Sequence, residues 1–347
     1  MDLVVDSLLV ENFRNHAKTK IDLGGQKTFL VTGDNGSGKT SLLEAIHLCL
    51  RGKSFKTTKP EILLKHDLDF SRVEIKSGDD KRIFYYDGNL KQKTFSVNGE
   101  KKKTITKKQN IPTIVFEGDD LVLFQSAPAN RRKYLDGLLG QIYPKYTYAL
   151  SRYRRALTQR NSLLKQEREP RRDELLMWDK LLVQYGLEIL SFRENIVDEI
   201  NKRIDEVYQK IAGSGDKVKI TFTTEILERT EAWWQEELIK NYRKDRCIGR
   251  TSFGVQHDDM VFYFNNNKAT DMASRGEVRT LVLALKFIEA EIVARVFGEP
   301  PIILLDDVFS ELDEGRQKAL LKNFKDNQII VTATHPPKGM RADLILK

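Results

Sequence analysis

Residues 33–40, Gly-Asp-Asn-Gly-Ser-Gly-Lys-Thr, constrain the folding of this chain more than any other stretch. They fit GxxxxGK[ST], a phosphate-binding loop that requires a strand leading into it and a helix opening behind it. The sequence supplies both: TFLVT at 28–32 reads as a strand, and SLLEAIHLCL at 41–50 as a helix. Gly33, Gly36 and Gly38 let the backbone curl until its amides face phosphate oxygens, and the helix N-terminus adds partial positive charge. In such a loop Lys39 reaches the β- and γ-phosphates and Thr40 ligates Mg²⁺, with Asp34, Asn35, Ser37 and Ser41 as the remaining cradle residues. The expected ligands are ATP and Mg²⁺, held by an α/β lobe.

A second motif lies far down the chain. Ile302-Ile-Leu-Leu-Asp306-Asp307 is an apolar strand ending in two carboxylates, a Walker B pattern. Asp306 is expected to hold Mg²⁺ and Asp307 to orient or deprotonate the attacking water. More than 250 residues separate the two motifs, whereas small GTPases and simple kinases keep them close. Between them, Ser274-Arg-Gly276 opens a helix just upstream of Walker B and resembles the signature motif of ABC-type ATPases. In those enzymes a serine hydroxyl and glycine amides contact the γ-phosphate held by the other subunit. Ser310-Glu-Leu-Asp313 resembles their D-loop and Thr334-His335 their switch histidine, so Lys39, Asp307 and His335 are the catalytic candidates. Gln125 is nominated as a Q-loop residue.

Patterning divides the chain into three. Residues 1–127 carry strand patterns and an Asn98-Gly99 hairpin signal, and form the N-terminal part of the ATPase lobe. Residues 128–217 read as an inserted helical lobe. There Leu182, Tyr185, Ile189, Phe192, Ile196, Ile200, Ile204, Val207 and Ile211 recur at steps of three and four, which predicts one long helix over 171–212. Tyr146, Leu150, Tyr153 and Leu157 repeat the spacing in a preceding antiparallel helix, which places the tyrosines in the core. Residues 218–347 return to extended segments and close the lobe with a helix from Arg275, the Walker B strand, another helix and the strand QIIVTAT. The fold class is α/β, an ABC/SMC-like P-loop ATPase head formed from both chain ends around an all-helical insertion.

The net charge is +8, and its distribution says more than the total. Residues 51–108 hold 16 Lys/Arg against 8 Asp/Glu, and residues 131–172 hold 12 against 3, so the rest of the chain is acidic. Concentrated basic surface on such a body suggests a polyanionic partner, DNA before membrane. Arg131, Arg132, Arg152, Arg154, Arg155 and Arg160, with Lys101, Lys102 and Lys103 beside the hairpin turn, are the candidate phosphate contacts. No groove-reading motif is visible, so backbone and shape are the expected targets. Two distant cysteines, Cys49 and Cys247, form no CxxC, which excludes a zinc hook and fits a reducing cytoplasm. No apolar run reaches the length of a membrane span, and Asp2 and Asp6 stand where a signal peptide would carry positive charge.

Taken together, Asn12-Phe-Arg14-Asn15, Leu43-Glu44-Ala-Ile46, Pro128-x-x-Arg131-Arg132-x-x-Leu135-Asp136, Ser274 to Arg279 and Leu304 to Asp313 resemble the RecF family in its usual order. The resemblance spans essentially the whole chain. It implies an SMC-like head with short helical arms, an ATP-dependent homodimer, slow DNA-stimulated hydrolysis, and binding to double-stranded or gapped DNA. It also implies cooperation with RecR-like and RecO-like mediators in delivering RecA to single strands, and places Arg14 at the nucleotide. Several positions depart from the family pattern: Glu277-Val278 replaces a Gln pair, Val255-Gln256-His257 replaces Pro-His-Arg, and Lys53 and Lys56 stand for arginines, losing the planar fork. A transporter ATPase is disfavoured by the insertion and basic lobes, and a long-armed SMC protein by length. An OLD-like nuclease head and a pseudo-ATPase scaffold are the competing readings.

Overall fold

A computed structural model of the protein describes residues 4–124 and 126–346, so Gln125 lies outside the described residues. The chain divides into two compact units, Met1–Leu121 with Lys286–Lys347, and Val122–Leu285.

The first unit is built on a parallel sheet whose strands run, edge to edge, Leu344–Leu346, Thr28–Gly33, Ile329–Ala333, Ile302–Asp306 and Thr113–Glu117. Every residue of Ile302–Asp306 and of Ile329–Ala333 is buried, as expected for strands covered on both faces. A six-stranded antiparallel sheet accompanies it in the order His16–Asp22, Ser7–Phe13, Phe70–Ser77, Asp80–Asp87, Gln92–Val97 and Glu100–Lys102. Asn98 and Gly99 both take positive φ in the last two-residue turn, the geometry for which Asn-Gly is suited. Helix Lys39–Arg51 packs against strands of both sheets. Residues 42–50 are all buried, Glu44 and His47 among them, so over this stretch the helix has no solvent-facing stripe.

The second unit contains helices Pro128–Ile142, Pro144–Leu164, Arg172–Asn201, Ile204–Ala212 and Glu231–Ile248. It differs from the sequence expectation in three ways. The long helix breaks at Lys202 and Arg203, although the apolar period runs on through Ile204 and Val207. At the break, Asn201 donates from Nδ2 to the Ile220 carbonyl and accepts the Ile220 N–H, pairing with strand Val218–Thr223. The unit also extends to Leu285 instead of ending at 217, and it is not all-helical. Strands Asn267–Lys268, Asp259–Phe264 and Val218–Thr223 form a three-stranded sheet within it. A buried Arg131 fork on Asp259 ties that sheet to helix Pro128–Ile142. Finally, Glu231–Ile248 is a helix where extended chain was expected. Among the described residues no helix is long and apolar enough to cross a membrane.

Candidate active site

Strand Thr28–Gly33 delivers the chain into the phosphate loop, and helix Lys39–Arg51 opens on Gly38 with no side chain capping it. Gly33, Gly36 and Gly38 all have positive φ, of 156°, 87° and 97°. At Gly38 a side chain is also excluded by space, because a Cβ would lie 2.4 Å from His16 Nε2. The Leu42 N–H makes the first helical bond, to the Gly38 carbonyl at 3.1 Å, so the amides of residues 39–41 have no partner within the helix. Lys39 is buried and its Nζ donates to the carbonyls of Gly33 (2.7 Å) and Asp34 (2.9 Å).

The Walker B strand brings its carboxylates to the same place. Thr40 Oγ1 contacts Asp306 Oδ1 at 2.8 Å and Oδ2 at 2.9 Å across 266 residues of sequence. Thr332, fully buried on the neighbouring strand, donates to Asp306 Oδ1 at 2.9 Å. Asp307 adopts a left-handed conformation, φ 54°, a strained geometry for a residue other than glycine. Its Oδ1 is buried with no hydrogen-bond partner among the described residues. Burial pushes its carboxyl above the usual carboxylate range, with the Lys39 ammonium pulling the other way. Glu117 pairs with Asp306 in the parallel register, and the Lys56 ammonium bonds Glu117 while standing 3.8 Å from Asp306 Oδ2.

A cleft of about 580 Å³ joins these groups, lined by Arg14, Asn15, the loop residues 35, 36 and 38–41, Asp306 and Asp307, with Ile62 and Leu64 as an apolar wall. Arg14 lines it while its guanidinium forks onto Glu44 at 2.8 Å for both contacts. Glu44 is itself buried and also bonded by Ser54. His335 is exposed, just past the end of strand Ile329–Ala333. Asp313 caps helix Glu314–Asn323 by accepting the Arg316 N–H at 2.9 Å, and Ser310 Oγ donates to the Asp307 carbonyl at 2.7 Å. Thr332, Glu117, Lys56 and His16 were not singled out for this site by sequence. Thr332 sits inside an apolar run, and the others become neighbours only through pairings distant in the chain.

In the second unit, Ser274 precedes helix Arg275–Phe297 and forms a capping box with Glu277. The Ser274 N–H donates to Glu277 Oε2 at 2.6 Å and the Glu277 N–H to Ser274 Oγ at 3.3 Å. Glu277 therefore has a local role that the usual Gln pair would fill differently. Gln256, another departure, accepts the Tyr153 hydroxyl and donates to the Phe253 carbonyl at 3.1 Å. Tyr146 and Tyr153 are core residues as the spacing predicted.

The proposed phosphate contacts separate into two groups. Arg131 forks onto Asp259 at 2.7 Å twice, and Arg132 donates to the Asp258 carbonyl at 2.8 Å. Arg160 is buried against Asp179 and Asp245. Arg131 and Arg160 are internal structural ties, because a buried guanidinium needs carboxylates to offset its lost hydration, and the expectation that these two face phosphate is corrected here. Arg132 is half-buried and held, among the described residues, by a carbonyl alone. Arg152, Arg154, Arg155, Lys101 and Lys103 are exposed, Arg154 pairing with Asp136 at 2.9 Å, while Lys102 lies 3.1 Å from Glu100.

A model of the RecF/RecN/SMC N terminal domain matches residues 4–347. The chain is 32% identical over 340 residues to the DNA replication and repair protein RecF of Clostridium acetobutylicum, covering 96% of this chain and 93% of the relative. It resembles a solved structure of the recombination mediator protein RecF-ATPrS in the RecFOR pathway, with a TM-score of 0.88, 32% identity, and coverage of 99% of this chain and 96% of that one. An Smc head domain with an extended coiled coil, bound to the C-terminal domain of ScpA and derived from Pyrococcus furiosus, shares the fold at a TM-score of 0.51 and 15% identity, covering 96% and 90%.

Proposed function

The chain belongs to the RecF family of SMC-like ATPases, and on that premise we propose that it hydrolyses ATP slowly in this cleft, pairs with a second copy around the nucleotide, and acts in DNA repair on double-stranded or gapped DNA. The observation that carries this is the Thr40–Asp306 contact, which unites two distant motifs beside Lys39 in one cleft.

Lys39 Nζ, held on two weak carbonyl acceptors, turns to β- and γ-phosphate oxygens when they enter, since charged oxygens accept more strongly. The unpaired amides of residues 39–41 receive the phosphates from the helix end. Ile62 and Leu64 offer an apolar side for the purine. Thr40 and Asp306 fit Mg²⁺, a hard cation that takes oxygen ligands, and their oxygens already converge. Thr40 and Asp306 would hold the ion, which when bound would offset the charge that develops on the phosphates as the γ-phosphoryl group transfers. Asp307 orients or deprotonates the attacking water, and His335 senses the γ-phosphate. Ser274 and Gly276 meet the γ-phosphate held by the second copy.

Exposed Arg152, Arg154, Arg155, Lys101 and Lys103 track DNA phosphates in the cytoplasm. RecR-like and RecO-like mediators use the protein to deliver RecA to single-stranded gaps. The test is gel filtration and equilibrium ATP binding on wild type, Lys39→Met and Ser274→Arg. Lys39→Met should lose hydrolysis, and Ser274→Arg should retain ATP as a monomer. If Ser274→Arg loses ATP as severely as Lys39→Met, both residues serve one subunit's site and pairing across copies is wrong.

A further inference from the structure

The first hairpin turn of the antiparallel sheet holds the phosphate loop through two consecutive side chains. Asn15 Nδ2 donates to the Gly36 carbonyl at 3.1 Å, and His16 Nε2 lies 3.1 Å from the Gly38 carbonyl. A carbonyl can only accept, so Nε2 carries the proton and Nδ1 accepts from Thr19 Oγ1, 3.0 Å away. Burial keeps the ring neutral by lowering its pKa from the ordinary value. The two anchored carbonyls belong to peptides whose N–H groups matter. In a trans peptide C=O and N–H point in opposite directions. Drawing the Gly38 carbonyl toward buried His16 therefore aims the Lys39 N–H the other way, where phosphate binds. The Gly36 carbonyl shares its peptide with the Ser37 N–H, which closes a tight turn on the Asp34 carbonyl at 3.2 Å. The fit leaves no slack, since a Cβ at Gly38 would meet His16 at 2.4 Å and Asn15 at 2.7 Å.

We propose that Asn15 and His16 are positioning residues of the nucleotide site, with Thr19 fixing the imidazole, and that they hold the phosphate loop in its phosphate-accepting shape before ATP arrives. The inference rests on ATP being the ligand of the cleft. Its test compares full-length wild type, His16→Leu, His16→Gln and Thr19→Val by equilibrium ATP affinity, amide hydrogen exchange over residues 34–41 without nucleotide, and thermal midpoint. His16→Leu should speed exchange in the loop and weaken ATP binding roughly five- to tenfold, the worth of about one hydrogen bond. His16→Gln, whose amide can donate to the Gly38 carbonyl, should recover most of the loss, and Thr19→Val should fall between. Wild-type exchange and affinity in His16→Leu would overturn the proposal, as would a His16→Gln no better than His16→Leu. Affinity losses that only track the thermal midpoint across all variants would overturn it too. Thr19→Val retains the imidazole and removes only the hydroxyl that fixes it, so it decides the matter if His16→Leu does not fold. A wild type that binds no ATP strikes instead at the assignment of the cleft.

Discussion

The nucleotide cleft and the arginine networks of the inserted unit are both dense in charge, yet they are finished to different degrees. Arg193 donates to Asp258 Oδ2 (2.8 Å), Asp136 Oδ1 (2.9 Å), the Val255 carbonyl (2.7 Å) and the Tyr146 hydroxyl (3.2 Å). Arg160 likewise reaches Asp179, Asp245 and Thr251 within 2.9 Å. In the cleft, by contrast, helix amides lack intrahelical partners, Asp307 Oδ1 has no hydrogen-bond partner among the described residues, and Lys39 rests on carbonyls of its own loop. Guanidinium charge that is partnered inside the chain supports structure, although Asp258 Oδ1 in that network is itself buried with no hydrogen-bond partner among the described residues. Charge that is held in place but left incomplete awaits a ligand.

This contrast predicts opposite consequences for removing one cation from each region. Arg160→Met should cost about 3–5 kcal/mol of stability, because it strands the buried Asp245 carboxylate. Chemical denaturation measures it, and a destabilisation under about 1 kcal/mol would erase the distinction. Lys39→Met should leave the denaturation midpoint essentially unchanged while lowering steady-state hydrolysis by on the order of a hundred- to a thousandfold. A variant that unfolds as readily as Arg160→Met would make Lys39 structural. Thr332→Val removes a hydroxyl that steadies Asp306, worth about 1 kcal/mol. It should raise the Mg²⁺ concentration for half-maximal hydrolysis severalfold without changing ATP affinity in EDTA. The smallest effect concerns exposed cations. Replacing Arg154 and Arg155 with Ala should flatten the dependence of log K for duplex DNA on log salt by about 0.9 for each phosphate no longer neutralised. An unchanged slope would move the DNA to the Lys101–Lys103 turn.

The phosphate loop and Walker B strand were legible because their chemistry demands particular residues in a fixed order, here GDNGSGKT and IILLDD. The Asn98-Gly99 turn was legible for the same local reason. Other elements hid behind ordinary composition. Strand Phe70–Ser77 turns Ser71, Val73, Ile75 and Ser77 inward, so half of its buried face is serine and its alternation is faint. Helix Glu231–Ile248 buries Trp234, Leu238 and Asp245, too narrow a strip to stand out among its charges. Arg131 and Arg160 looked like surface because sequence shows charge but not the carboxylates that fold back onto it. Asp259 is 128 residues from Arg131, and Asp245 is 85 from Arg160. His16 carried no signal of its own. Its role depends on a carbonyl 22 residues away that any residue could supply.

The strand order of the parallel sheet also bears on how the protein is made. Thr28–Gly33 pairs on one side with Ile329–Ala333 and on the other with Leu344–Leu346. During synthesis the strand that carries the phosphate loop thus leaves the ribosome roughly 300 residues ahead of either neighbour. At typical elongation rates the interval is roughly 15 to 60 s, in which that apolar edge has no native partner to pair with. The inserted unit, whose three-stranded sheet is complete by Lys268, can assemble during the wait. Nascent chains stalled before Ile329 should therefore be unable to retain ATP, because the strand that carries the phosphate loop still lacks both its neighbours.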